Sequence, residues 1–122
     1  MVLNFSSQAG LEPMPFIPVY SATKVYDDFL SQSVGASVSE SITMVSVTPL
    51  GVTTNMTKQL DSKGSALLVT AEAFAKAVFD NLHHERTMAH WWHNLQNLSF
   101  QVIPERWRVA ISRKMMRSLI FN

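Results

Sequence analysis

Apolar residues fall into short runs and helical stripes separated by proline, glycine and serine. Val2-Leu3 leads to a polar tip ending at Ser7, so residues 1–7 read as a strand. Gly10, Pro13, Pro15 and Pro18 break the next stretch and predict a loop over 8–17. Residues 19–33 read as a helix with Val25, Phe29 and Ser33 on one stripe, followed by a polar turn from Ser37 to Ser41. Residues 42–48 are apolar and rich in β-branched side chains, a second strand that Pro49 ends. Residues 50–69 read as loop and short helix, including Asp61-Ser62-Lys63-Gly64. Thr70 is the expected N-cap of a helix from Ala71 to His83, with Glu72 in its first turn and Phe74, Val78 and Leu82 repeating at i+4. Thr87 to Trp91 reads as a last strand. The strand–helix–strand unit over 1–48 predicts a right-handed parallel crossover, and the fold class is α/β.

Composition narrows this picture. At 122 residues the chain holds one domain at most. The hydrophobic fraction of 47% is enough for a core, but 16% charged is low for a small free-standing domain. Half of a parallel sheet exposes faces that helices normally cover, so the balance points to part of a larger fold. With no cysteine, disulfides and thiolate metal sites are excluded. No uninterrupted apolar run reaches 18 residues, and no charged segment followed by an apolar stretch opens the chain.

The chemistry concentrates in Ser7 and in Tyr20-Ser21-Ala22-Thr23-Lys24, which starts thirteen residues later. Residues at i and i+4 on a helix share a face, with Cβ atoms about 5–6 Å apart. A free phenol has a pKa of about 10 and exchanges its proton poorly at neutral pH. A neighbouring ammonium favours the phenolate, and lowering a phenol's pKa to about 7 takes about 4 kcal/mol, more than one lysine near water supplies. With a buried pocket or a cofactor charge added, Tyr20 becomes a general acid towards a carbonyl or a general base towards an alcohol. Ser7 is then the hydroxyl that binds the same oxygen and fixes its place.

The run Asn4-Phe5-Ser6-Ser7-Gln8-Ala9-Gly10 followed by Tyr20-Ser21-Ala22-Thr23-Lys24 resembles the active-site segment of the short-chain dehydrogenase/reductase family. Ile42 to Pro49 is similar to that family's next strand. Pro49-Leu50-Gly51-Val52-Thr53-Thr54 is similar to its Pro-Gly-x-Val-x-Thr loop, with Leu50 at the glycine position and Gly51 one later. A bulky residue after the proline, the run Leu11-Glu12-Pro13-Met14-Pro15 and the tail around Ile103-Pro104-Glu105-Arg106-Trp107 resemble the microsomal 17β-hydroxysteroid dehydrogenase and very-long-chain 3-oxoacyl-CoA reductase group.

The resemblance implies the C-terminal half of a Rossmann-like doubly wound parallel sheet. It makes residues 1–103 the active-site and substrate part, with 104–122 a C-terminal helix. It implies NADP(H)-linked reduction of a ketone on a steroid or long-chain 3-oxoacyl-CoA, in the endoplasmic reticulum. Tyr20, Lys24 and Ser7 are the catalytic residues it implies, with Ser7 holding the substrate carbonyl. Tyr20, Lys24, Pro49, Val52 and Thr54 are its implied cofactor contacts. The family's glycine-rich phosphate turn has no counterpart: Gly10, Gly35, Gly51 and Gly64 are never closer than thirteen residues. Asn4 shares the strand of Ser7 and is not the upstream asparagine of the family's tetrad. The expectation is therefore a chain that does not bind NADP(H) alone, is inactive alone, or pairs with a full-length relative.

The tail adds a separate signal. Arg106, Arg108, Arg113, Lys114 and Arg117 are half of the ten basic residues, and Glu105 is the only acid among them. Trp107, Ile111, Met115 and Leu119 form a stripe at i+4, with Met116 and Ile120 beside it. A stripe of this kind packs on a protein body, the commoner use, or lies in an anionic membrane interface. A net charge of +1 without a base-reading motif argues against nucleic acid. His83 and His84 are adjacent, expected to point apart, and no cysteine or carboxylate cluster joins them or His90 and His93, so no metal site is expected. Asn55-Met56-Thr57 and Asn97-Leu98-Ser99 match the glycosylation pattern by chance. Trp91-Trp92 reads as packing or part of a substrate lid.

Overall fold

The computed structural model describes residues 1–38, 42–57 and 66–121, excepting the side chains of Met56 and Leu119. The polar turn at 39–41, the Asp61–Gly64 run and the side chain of Leu119 in the tail stripe lie outside the described residues. Three strands form a parallel sheet in the order β1 (Val2–Phe5), β2 (Met44–Val47), β5 (Arg86–Thr87). Val2 pairs with Met44 and Phe5 with Val47, while Ser46 pairs with Arg86 and Val47 with Thr87. The crossover between β1 and β2 is the helix α1 (Pro18–Val38). This is the α/β arrangement expected from the strand–helix–strand pattern.

The helix α1 runs five residues beyond the expected end and packs by a different face. Phe29 and Ser33 of the predicted stripe are exposed; Ser21, Asp28 and Ser31 are buried. Small and polar side chains let the helix approach the sheet closely and bond to it. The Ser46 hydroxyl donates to Asp28 Oδ1 at 2.6 Å, and Arg86 reaches Asp28 Oδ2 at 3.0 Å. Asn4 Nδ2 donates to the Ser31 hydroxyl at 2.6 Å and to the Asp27 carbonyl at 3.0 Å. A buried carboxylate is tolerable only with such partners.

A second, two-stranded parallel sheet joins β3 (Val52–Thr53) to β4 (Val69–Thr70), where the sequence suggested loop and short helix. Two-residue strands leave too little alternation to read. Thr70 caps α2 (Ala71–Asp80) as expected, its hydroxyl accepting from Ala73 N at 3.3 Å. The helix stops three residues early because Asn81 turns the chain, donating to the carbonyls of Ala77 and Ala89. The last strand is Arg86–Thr87 rather than Thr87–Trp91. Ala89 ends it by taking a left-handed backbone (φ 61°). Trp91 then begins α3 (Trp91–Gln101), capped by His90 Nδ1, which accepts from Trp92 N at 3.2 Å. The core gathers Val45, Val47, Val69, Phe74, Val78 and Ala89, with Leu3, Val52, Leu82 and Trp92 packed on it.

The tail forms α4 (Glu105–Ile120). Its packed face is not the expected stripe: Trp107 and Ile111 are exposed, while Ser112 is buried and Arg108 and Met115 are half-buried. The Arg108 guanidinium pairs with Glu12, and Phe16 meets Phe121 edge-on at 5.8 Å. These ties fix α4 to the loop after Ser7 through a salt bridge and a ring contact, not through the tryptophan stripe. Among the described residues no helix is long and apolar enough to cross a membrane.

Candidate active site

The C-terminal ends of β1 and β2 bring the candidate residues to one end of the sheet. Beyond Phe5 the chain keeps hydrogen-bonding to its neighbour: Ser6 N donates to Val47 O at 2.8 Å and Gln8 N to Pro49 O at 2.9 Å. Ser7 does not end the strand but caps a short 3-10 turn over 8–10, its hydroxyl accepting from Ala9 N at 3.1 Å. That turn presses on α1 where Lys24 sits. A Cβ on Gly10 would lie 2.7 Å from the Lys24 carbonyl carbon, so only glycine allows the approach. The Ser6 hydroxyl donates to the Lys24 carbonyl at 2.5 Å. Residues 4–10 and the first turns of α1 are thus locked together.

Tyr20 and Lys24 lie one turn apart on α1, near its start. Tyr20 is partly exposed, and none of the described residues hydrogen-bonds its hydroxyl. Lys24 Nζ lies 6.0 Å from the Tyr20 ring centroid. Its hydrogen bonds go to the Phe5 carbonyl at 2.8 Å and to Asp27 Oδ2 at 3.0 Å. The ammonium is therefore held between β1 and α1, beside the phenol. Pro49, Val52 and Thr54 follow β2. The Thr57 hydroxyl binds this segment by donating to Val52 O at 2.6 Å and accepting from Thr54 N at 2.8 Å.

A profile of the short chain dehydrogenase family matches residues 1–65, more than half of the chain. The chain belongs to that family. Among curated proteins, it is 33% identical to the very-long-chain 3-oxoacyl-CoA reductase of Mus musculus over 109 residues, 88% of this chain and 34% of that protein. It is 30% identical to the Macaca fascicularis protein of the same name over 96% of this chain and 38% of that one. Hydroxysteroid dehydrogenase-like protein 1 of Gallus gallus is 29% identical over 85% of the chain and 33% of its own length. The chain thus spans about a third of the curated relatives it matches. No solved structure gives a significant match. The resemblance read from Ser7, Tyr20 and Lys24 is borne out, and the sheet and helices are a partial Rossmann-like fold.

Short-chain dehydrogenases typically use NAD(P). The fit of this chain to such a cofactor is one-sided. Tyr20, Lys24 and the 49–54 segment lie towards the C-terminal end of the parallel strands. Among the described residues there is no glycine-rich turn opening a helix for the pyrophosphate.

Some residues that shape this end gave only faint sequence signals. His93, for which no metal-ligand role is expected from the sequence, is fully buried in the core. Its Nε2 meets the Gly51 carbonyl at 3.1 Å, and its ring lies 5.7 Å from Phe74. Burial lowers its pKa from the ordinary 6.5, with the nearby His90 adding to the shift and the Gly51 and Met88 carbonyls opposing it. The signal was its place, two residues into α3 on the face opposite Trp91. His83 and His84 do not point apart: their rings lie 4.0 Å centre to centre in the turn after α2. Among the described residues no group of three possible ligands could hold a metal. Asn97, in a sequence matching the glycosylation pattern, accepts a hydrogen bond from Gln8 Nε2.

Proposed function

We propose that this chain supplies the proton-transfer and substrate-positioning part of an NADP(H)-linked ketone reductase acting on a long-chain 3-oxoacyl-CoA or a steroid. The observation that supports the reading is Tyr20 and Lys24 one turn apart on α1, with the Lys24 ammonium bonded to the Phe5 carbonyl two residues before Ser7, in a member of this family. In this reading Ser7 donates to the substrate carbonyl oxygen and holds it against Tyr20. Tyr20 gives that oxygen its phenolic proton as the carbonyl carbon becomes a carbinol carbon. Lys24, fixed by Asp27 and the Phe5 carbonyl, favours the phenolate that remains and contacts the cofactor ribose. Pro49, Val52 and Thr54 border the nicotinamide, which supplies the hydride when bound. The substrate class leans on the names of the relatives, 3-oxoacyl-CoA reductase and hydroxysteroid dehydrogenase-like protein. Endoplasmic-reticulum placement belongs to the same proposal.

The chain alone is proposed to be inactive, because phosphate-binding groups are not found among its described residues. A second reading, association with a full-length relative, is favoured by one feature: β1 is an edge strand with Val2 and Phe5 exposed. The test of substrate class is NADPH oxidation by the chain joined to, or mixed with, a dinucleotide-binding half. A 3-oxoacyl-CoA or a steroid ketone should drive it; no turnover of either in a folded, NADPH-binding assembly would reject the reading.

A further inference from the structure

A cleft of about 310 Å³ opens beside β5, lined by Thr48, Asn81, His84, Arg86, Thr87 and Asn94. In the three-stranded sheet β5 is an edge strand. Ser46 N donates to the Glu85 carbonyl at 2.9 Å and Thr48 N to the Thr87 carbonyl at 2.8 Å. Alternation along a parallel strand then turns the Arg86 N–H and C=O to the other edge. Glu85, between His84 and Arg86 in sequence, lines a different hollow with Ser31 and Thr43. No carboxylate is therefore among the residues that line the cleft.

The donors around it have capacity to spare. Arg86 Nη2 reaches Asp28 Oδ2 at 3.0 Å, which fixes the guanidinium and leaves Nε and Nη1 with no partner among the described residues. The same residues offer no hydrogen bond to the Asn94 side chain or to the His84 ring, whose centre lies 4.0 Å from that of His83. The Thr87 hydroxyl accepts from Ala89 N at 2.9 Å and keeps its own proton to give. Thr48 is 1% exposed, and its hydroxyl makes only a long contact of 3.5 Å to the Thr87 carbonyl. The wall is also tied down. Asn81 Nδ2 donates to the carbonyls of Ala77 at 2.8 Å and Ala89 at 3.2 Å, where the chain turns through the left-handed Ala89. Donors held in place before binding lose little freedom when a ligand arrives.

We propose that this cleft binds a phosphate group, as the free ion or at the end of an organic ester. Arg86, His84, Asn94 and the hydroxyls of Thr48 and Thr87 bring N–H and O–H donors from β5, the end of β2 and α3 to one space. A phosphate answers them with three or more acceptor oxygens, where a carboxylate has two. Arg86, anchored from behind by Asp28, presents its remaining N–H groups as a fixed planar fork, the geometry that suits phosphate. A metal cation would meet the guanidinium with no carboxylate to offset it. The volume lies at the lower end of the range for small-molecule sites, and Met88 gives the cleft one apolar side for the body of an ester. The inference does not depend on the reductase reading.

The test is titration of the full chain, at constant ionic strength, with inorganic phosphate, phenyl phosphate, acetate and chloride, followed by amide NMR shifts. At least one phosphate should saturate with a Kd of about 1 mM or tighter, moving Thr48, Thr87, Met88 and Asn94 together. Tighter binding of phenyl phosphate would assign the cleft to an ester, tighter binding of inorganic phosphate to the free ion, and either supports the proposal. Acetate should bind at least about fivefold more weakly, and chloride should give no saturation. His84→Glu places a like charge at the rim on an exposed side chain, so it should weaken phosphate at least about tenfold with circular dichroism and melting unchanged. Arg86→Lys keeps the charge and loses the fork, and should weaken it about tenfold. Shifts that grow without saturation, saturable shifts confined to α4, acetate binding as tightly as phosphate, or undiminished binding to a folded His84→Glu chain would each overturn the proposal.

Discussion

Asp28 and His93 are among the most deeply buried side chains, and neither belongs to an apolar pattern. Asp28 is buried between Ser46 and Arg86. Arg86→Met should therefore destabilise the chain by about 1–3 kcal/mol in urea unfolding, because a buried acceptor loses its ionic partner. A smaller effect than Lys76→Met on exposed α2 would show that the pair contributes nothing. His93 titrates below its ordinary 6.5 because burial disfavours its charge. The unfolded chain then takes up that proton more readily than the folded one. Stability tied to neutral His93 is whole above pH 6.5 and is lost as pH falls through the lowered value. The urea midpoint should drop between about pH 7.5 and about pH 5, and His93→Gln should flatten that drop. An unchanged slope would remove His93 from the pH response. Tyr20 and Lys24 were legible as neighbours on one helix face because four residues separate them. Asp28 was not, since an acid on a helix reads as solvated until Ser46 and Arg86 are placed around it.

At the scale of elements, close approach sets the geometry of the β1–α1 end. Gly10→Ala would drive a Cβ to 2.7 Å from the Lys24 carbonyl carbon and 2.8 Å from Val25 N, and these are main-chain atoms rather than yielding side chains. The turn over 8–10 should shift from α1, lowering thermal stability and raising hydrogen exchange at Lys24 and Val25. Wild-type exchange in that variant would mean the contact is not a constraint. Thr70→Ala should cost about 1 kcal/mol through loss of the α2 cap. The strands β1 and β2, α1, α2 and that cap were readable because each pairs a clear period with a clear breaker. The β3–β4 pair, the true end of β5 and the start of α3 were not. They rest on two-residue ladders, a left-handed Ala89 and a histidine cap, none of which leaves a periodic trace. The face of α1 was misread for the opposite reason: serines and an aspartate pack inward while Phe29 faces out.

At the scale of the whole molecule, this chain of the short-chain dehydrogenase family is a partial Rossmann-like fold. The chain spans about a third of its curated relatives, and the proposed role of its sheet end is to handle the carbonyl rather than the pyrophosphate. Titration with NADPH, followed by fluorescence or calorimetry, should show binding no tighter than to a nonspecific surface; micromolar affinity would refute the idea that the phosphates need another segment. The central claim is that Tyr20 transfers the proton. Its direct measurement uses the Mus musculus relative as host, with the region matching this chain replaced by residues 1–122. The hybrid should oxidise NADPH with a 3-oxoacyl-CoA. Tyr20→Phe should remove most of kcat, about a hundredfold or more, while leaving NADPH affinity nearly intact, because only the transferable proton is lost. A folded hybrid that binds NADPH and keeps its turnover after Tyr20→Phe would contradict the account.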